Sequence, residues 1–297
     1  MLYHALLNRL ARYRFFLSMR KIIFGLFIGI FCSASIASEA VIVTTIKPLE
    51  LIAREIAGEQ FEVRSIVDPR QSSHHYTLKP SDRTLLARAD LVLWIDPGFE
   101  VYLADFFANQ GASQDILMAS AIDGLRLYML EDGTTDYHLW LDLNNAGMIA
   151  AALAEQLQLT APHLSAQISA NLAGFKARLD TLEGELAAQL SSSGQQNYAV
   201  YHDAYRYFEA KFNLAHSTAL VRSTEIQPGM REIIQTREQL QLRPPACVML
   251  DPEYNAALLE TLLRDTEADQ VMIDLMGVEA ENYIELMHNL TNAFASC

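Results

Sequence analysis

The sequence predicts an α/β protein made of two (β/α) lobes on parallel sheets, joined by one long rigid helix, with a cleft between the lobes. Three observations predict it. Val41–Ile46, Asp90–Ile95 and Cys247–Leu250 are short apolar runs without strict alternation, as strands covered on both faces require. Helical patterns separate these runs, which is the signature of βαβ units. Between the two groups of strands lies a stretch from Pro162 to Ser191 with one continuous apolar stripe.

The chain does not open on its folded part. Residues 1–18 are apolar and carry Arg9, Arg12 and Arg14 without an acid. Met19 begins a cleaner pattern: Arg20 and Lys21 as a positive region, an apolar stretch from Ile22 to Phe31, and the small-x-small signal Ser35-Ile36-Ala37. Residues 1–37 are therefore expected to be a leader and export signal, with Met19 as the true start. The apolar stretch is short for a membrane span. Cys32 follows Ile30 and Phe31 rather than small residues, so lipidation is not expected.

The first lobe is assigned to residues 38–160. Pro48 to Ala57 has helical spacing and Gly58 is a stop signal. Phe61–Val67 alternates as a strand does, and Ser81–Arg88 reads as a helix capped by Ser81 or Asp82. Asp90–Ile95 is a buried strand ended by Asp96-Pro97-Gly98, and Phe99–Asn109 is a further helix. Asn144–Leu157 is amphipathic. The linking helix is placed within 161–193, with Leu164, Ile168, Leu172, Phe175, Leu179, Leu182 and Leu186 along one stripe; about 30 residues at 1.5 Å each span about 45 Å. The second lobe, 194–297, resumes the alternation with strands at Tyr198–Tyr201, Cys247–Leu250 and Val271–Asp274 and helices at 204–212 and 256–265.

Composition excludes some partners. The formal charge is −14, and loss of the five cations of residues 1–37 takes it to −19. So acidic a product will not seek nucleic acid. Cys247 and Cys297 are the two cysteines left after the leader, and an even pair in an exported chain predicts a disulfide.

Three histidines follow predicted strands. His74 stands in Ser-Ser-His74-His75-Tyr-Thr-Leu-Lys-Pro, His138 in Asp-Tyr-His138-Leu-Trp, and His202 in Val-Tyr-His202-Asp-Ala. Asp274 ends the run Val271-Met-Ile. Ligands of open parallel sheets bind beyond the carboxyl ends of the strands. His74 and His138 on one lobe, with His202 and Asp274 on the other, would form a metal site in the interlobe cleft. Taken singly, each of these residues also fits an ordinary hydrogen-bonded role. His163, His216 and His288 are read that way.

The motifs Ile46-Lys-Pro48, His74-His-Tyr76 with Leu78-Lys-Pro-Ser-Asp82, Ala89-Asp-Leu-Val-Leu-Trp94, His138-Leu-Trp140, Tyr201-His-Asp-Ala-Tyr205, Glu225-Ile-Gln-Pro-Gly229 and Ala246-Cys247 occur in order. Through them residues 41–297 resemble the ZnuA-type zinc-binding proteins of ABC transporters, a group that includes manganese-binding relatives and surface adhesins. The resemblance implies two lobes on one rigid helix. It implies His74, His138 and His202 as Zn²⁺ ligands, with Asp274 or water as the fourth. It also implies a Cys247–Cys297 disulfide, periplasmic location, and delivery to a membrane permease without catalysis. A monomer is expected. His202 favours zinc, because manganese relatives tend to carry a carboxylate there and oxygen donors suit manganese. The group's long His-rich loop is absent: Leu130 to Tyr137 holds no histidine. His75 stands where the group has an acidic or polar residue, and is an alternative ligand to His74 or a residue that supports a ligand without touching the metal. The rival readings are a manganese or iron carrier on the same scaffold and a zinc hydrolase. The hydrolase would need a placed general base, and no motif such as His-Glu-x-x-His supplies one.

Overall fold

The computed structural model describes residues 40–73, 76–109, 115–130, 133–193, 197–222 and 227–297. The leader, His74 and His75 lie outside the described residues.

Two four-stranded parallel sheets organise the chain. The first contains β1 (Val41–Thr44), β2 (Glu62–Ser65), β3 (Leu91–Trp94) and β4 (Asp115–Met118), in the order β2-β1-β3-β4. The second contains β7 (Tyr198–His202), β8 (Ala219–Val221), β9 (Cys247–Leu250) and β10 (Asp269–Met272), in the order β10-β9-β7-β8. The two orders are the same winding. In each, the first strand is followed by a neighbour on one side and the third strand then starts on its other side. The winding reverses between β1 and β3, and again between β7 and β9. β3 and β9 are buried at all four positions, which explains their unbroken apolar sequence.

The helices follow their local chemistry. α1 (Lys47–Ala57) has Pro48 in its first turn and ends at Gly58, whose φ of 59° suits a residue without Cβ. α2 (Pro80–Arg88) starts one residue before the expected cap. Neither Ser81 nor Asp82 is the cap: Lys79 is, and the Asp82 carboxylate accepts its backbone N–H at 2.8 Å. α3 (Val101–Asn109) follows β3. α4 (Leu143–Thr160) is capped by Asp142, which accepts N–H bonds from Asn144 and Asn145.

The linking helix is a 3-10 turn at Pro162–Leu164 followed by α5 (Ser165–Ser192), 28 residues long. Its buried side chains are Ile168, Phe175, Leu179, Leu182, Leu186 and Leu190. Leu164 and Leu172 are only partly buried against the same core. The second lobe adds α6 (Arg206–Phe212), α7 (Met230–Leu242), α8 (Ala256–Leu263) and α9 (Tyr283–Ser296). α9 touches its own sheet, where Phe294 meets the Tyr198 ring of β7 edge-on, and also reaches beyond it. It packs on α5 and reaches α1. Gln189 donates to Asn292 at 2.8 Å, and the Tyr283 ring meets Phe175 edge-on. The predicted disulfide is present: Cys247, which opens β9, is bonded to Cys297 beyond α9, with Cα atoms 5.7 Å apart.

Candidate metal centre

The second sheet places its histidine by strand geometry. His202 is the last residue of β7 rather than the first residue after it, and it is 6% exposed. Asp251 follows β9 directly and is buried. The two side chains meet across the point where the winding of the sheet reverses, which is where open parallel sheets bind ligands. His202 Nδ1 lies 2.6 Å from Asp251 Oδ2. Burial pulls the imidazole pKa down. The bond and charge of Asp251, with the charges of Glu253 and Asp203, outweigh it and raise the pKa.

His138 arrives differently from the expected strand end of a parallel sheet. It follows a two-stranded antiparallel hairpin, β5 (Tyr128–Met129) and β6 (Thr135–Asp136), and precedes a 3-10 turn at Leu139–Leu141. Tyr207 on α6 holds this hairpin: its hydroxyl donates to the Asp136 carbonyl at 2.6 Å and accepts from Tyr128 N–H at 3.1 Å. Trp140 Nε1–H donates to the Leu275 carbonyl at 3.0 Å, and Tyr283 donates to the Trp140 carbonyl at 2.6 Å. The two lobes are thus bonded together on either side of His138. Phe99 presents an edge to the His138 ring from the first lobe. The turn carrying Phe99 is fixed by Glu100, which accepts from Thr45 Oγ1 and from the N–H groups of Ile95 and Asp96. Burial pushes Glu100 up to about 7.

The geometry of the two imidazoles suits one shared metal ion. Their ring centroids are 5.4 Å apart with planes at 59°. Two imidazoles on one tetrahedral zinc, at Zn–N distances of about 2.0–2.1 Å, would place their centroids roughly 5.2 Å apart. His138 Nδ1 lies 2.8 Å from Asp136 Oδ1, as His202 Nδ1 does from Asp251. With Nδ1–H donated to a carboxylate, each ring presents the Nε2 lone pair, the arrangement that orients metal-binding histidines.

Both rings line one cavity of ≈ 20 Å³, walled also by Pro69, Ser73, Asp251, Pro252, Glu253, Leu275 and Met276. That is room for an ion or a water molecule, not an organic ligand. Asp274 is not on the wall. It is two residues past β10, and its Oδ1 accepts Met276 N–H at 3.1 Å. Among the described residues, no three imidazole, thiolate or carboxylate groups already surround one point. His163, His216 and His288 do not line the cavity. His216 is held instead by Glu209, 2.9 Å from Nδ1. Asp136 and Asp251 were not among the expected site residues. The Asp-x-His spacing at 136–138 and the position of Asp251 directly after a buried strand were the signals available.

These features define a class, a two-lobed α/β protein whose cleft is built to take one metal ion. The chain belongs to the ZnuA family, the periplasmic component A of zinc-uptake complexes, whose family model matches residues 42–297. A ZnuA high-affinity zinc uptake system protein of Brucella abortus (strain 2308) is 26% identical over a 319-residue alignment covering 91% of this chain and 96% of the relative. That of Yersinia pestis is 26% identical, covering 88% and 92%. Among solved structures, the fold matches a crystal structure of ZnuA at TM-score 0.76, with 22% identity, 87% of this chain and 98% of the other. It also matches the periplasmic zinc-binding protein TroA of Treponema pallidum at TM-score 0.77, with 17% identity, 87% of this chain and 99% of the other.

Proposed function

We propose that this protein captures Zn²⁺ in the periplasm and hands it, as a monomer and without chemical change, to the membrane permease of an ABC transporter. The observation that carries this reading is the His138–His202 pair, 5.4 Å apart, each ring backed by its own buried carboxylate. His74, His138 and His202 are the proposed imidazole ligands, with Asp274 or water in the fourth position. Support for His74 is positional: it directly follows Ser73, a wall of the cavity. His75 is its alternative, or a residue that supports a ligand without touching the metal. The lobes are read as 38–160 and 194–297 about the helix 161–193, after a cleaved leader.

Imidazole donors favour zinc over manganese. The protons that the rings must lose make binding weaken in acid. Calorimetric titration of metal-free protein with Zn²⁺ and Mn²⁺ tests the function. Tight zinc binding and weak manganese binding are expected, and His202→Ala should lose most of the zinc affinity. Equal affinity for both ions, or an unaffected His202→Ala, refutes the assignment.

A further inference from the structure

A lysine of the Ile46-Lys47-Pro48 motif has no part in the site described so far. Lys47 is the first residue of α1. A cation at a helix N-terminus works against the helix dipole, so local helix chemistry gives no reason for lysine there. Its ammonium instead makes a bond across 231 residues of chain. Nζ donates to the Val278 carbonyl at 3.0 Å, and the bond is partly buried.

Val278 belongs to the segment between β10 and α9, which also walls the cavity through the buried Leu275 and Met276. Residues 273–282 carry no helix or strand. The segment leaves its own sheet at Ile273, whose N–H donates to the Leu250 carbonyl at 2.9 Å. From there it lies on the first lobe. Trp140 holds the Leu275 carbonyl at 3.0 Å. Gly277, at φ 70°, passes Leu51 of α1 so closely that a Cβ would stand 3.3 Å from Leu51 Cδ1. Lys47 then holds Val278. Beyond it comes an exposed Arg70–Glu279 ion pair at 3.6 Å, a contact worth little in water. The segment is a strap across the cleft, tied in its middle by one indole and one ammonium.

The cavity of ≈ 20 Å³ takes a bare ion but not an ion with its water shell. A wall must therefore move for zinc to enter or leave. Asp251 is bonded to His202, and the hairpin before His138 is bonded to Tyr207. The strap has no such framework. Its bond to Trp140 is buried, whereas its bond to Lys47 is charge-assisted and within reach of water.

We propose that Lys47 is a latch: by holding the Val278 carbonyl it keeps the strap closed over the cavity and slows the release of zinc. Lys47 is a positioning residue and touches no metal. The inference rests on the zinc-carrier reading above and adds to it a control on release.

The test mixes zinc-loaded protein with excess chromogenic chelator in stopped flow and reads the release rate. Lys47→Met keeps the apolar arm without the donor. Release should quicken about tenfold, the scale of one charge-assisted hydrogen bond. Lys47→Arg restores a donor and should stay within about threefold of wild type, and Arg70→Gln should release at the wild-type rate. In hydrogen exchange of metal-free Lys47→Met, the amides of residues 276–280 should exchange faster while those of α1 stay as in wild type. A wild-type release rate in Lys47→Met would overturn the proposal. So would Lys47→Arg as fast as Lys47→Met, or an equal quickening in Arg70→Gln, which would make the effect one of surface charge. Faster exchange throughout α1 would also overturn it, because the substitution would then loosen the helix and not the strap. If the unmutated protein binds no zinc, the carrier reading itself fails, an outcome distinct from an unlatched strap without effect.

Discussion

His202 Nδ1 and Asp251 Oδ2 stand 2.6 Å apart, and this bond joins the carboxyl ends of two strands that are neighbours in the sheet but 49 residues apart in the chain. It fixes which nitrogen of His202 carries the proton, and so which one meets a metal. Asp251→Ala should therefore cost roughly 10–100-fold in zinc affinity although Asp251 is not itself a proposed ligand. Competition titration against a chelator measures it. Affinity equal to wild type would mean that the ring needs no partner to hold its orientation.

A second imidazole–carboxylate pair makes a prediction about stability instead of binding. His216 Nδ1 is 2.9 and 3.0 Å from the two oxygens of Glu209, and Tyr198 donates to the same carboxylate at 2.6 Å. Burial lowers the His216 pKa, but the bond to Glu209 and its charge, with that of Asp203, raise it above 6.5 against the opposing charge of Arg206. The folded state thus holds the proton more tightly than the unfolded chain. The stabilisation is full below pH 6.5 and is lost as pH rises through the raised folded value. In urea unfolding of metal-free protein, the gap between wild type and His216→Gln should be wider at pH 5.5 than at pH 8.5. A gap that stays constant or widens with pH would contradict this account.

The disulfide closes a loop of 50 residues. Constraining that loop in the unfolded chain contributes about 4 kcal/mol in the chain-entropy model. Its position adds a structural consequence, because it ties the end of α9 to β9 while α9 packs on α5 and α1. Replacing both cysteines by serine should lower stability by a few kcal/mol, and reductant should destabilise wild type but not the variant. Denaturant curves with and without reductant check both points. Identical curves for all four conditions would remove the bond from the stability of the fold.

Much of this architecture was legible because buried parallel strands and an apolar stripe are strong local signals. β3, β9 and the long α5 were readable from residue type alone. The strands β4 and β8 were not: Asp115–Met118 begins on an acid and lies at an edge, and Ala219–Val221 is three residues long. The hairpin that delivers His138 has two-residue strands, too short to show any period. The site was half legible for a related reason. His138 and His202 carry their own motifs, but the oxygen that orients His202 comes from a different strand. Only the sheet order brings Asp251 beside it. Asp274 read as a strand-end ligand because the strand was expected to run to it. β10 ends at Met272, and the wall of the cavity passes to Leu275 and Met276.

Tyr207 links the two lobes at the hairpin that bears His138. Its hydroxyl donates to the Asp136 carbonyl and accepts the Tyr128 N–H, so one oxygen serves both strands. The side chain is fully buried, and no water can easily replace what it bonds. Tyr207→Phe keeps the ring contact with Tyr128 but leaves a carbonyl and an N–H without their partner, at a cost of about 1–3 kcal/mol for each unsatisfied group. Because Asp136 both receives that bond through its carbonyl and holds His138 through its carboxylate, the damage should reach the metal. Urea unfolding should show the lost stability, and zinc titration a weaker affinity in the same variant. Lost stability with unchanged zinc binding would mean that the hairpin holds His138 without help from the second lobe.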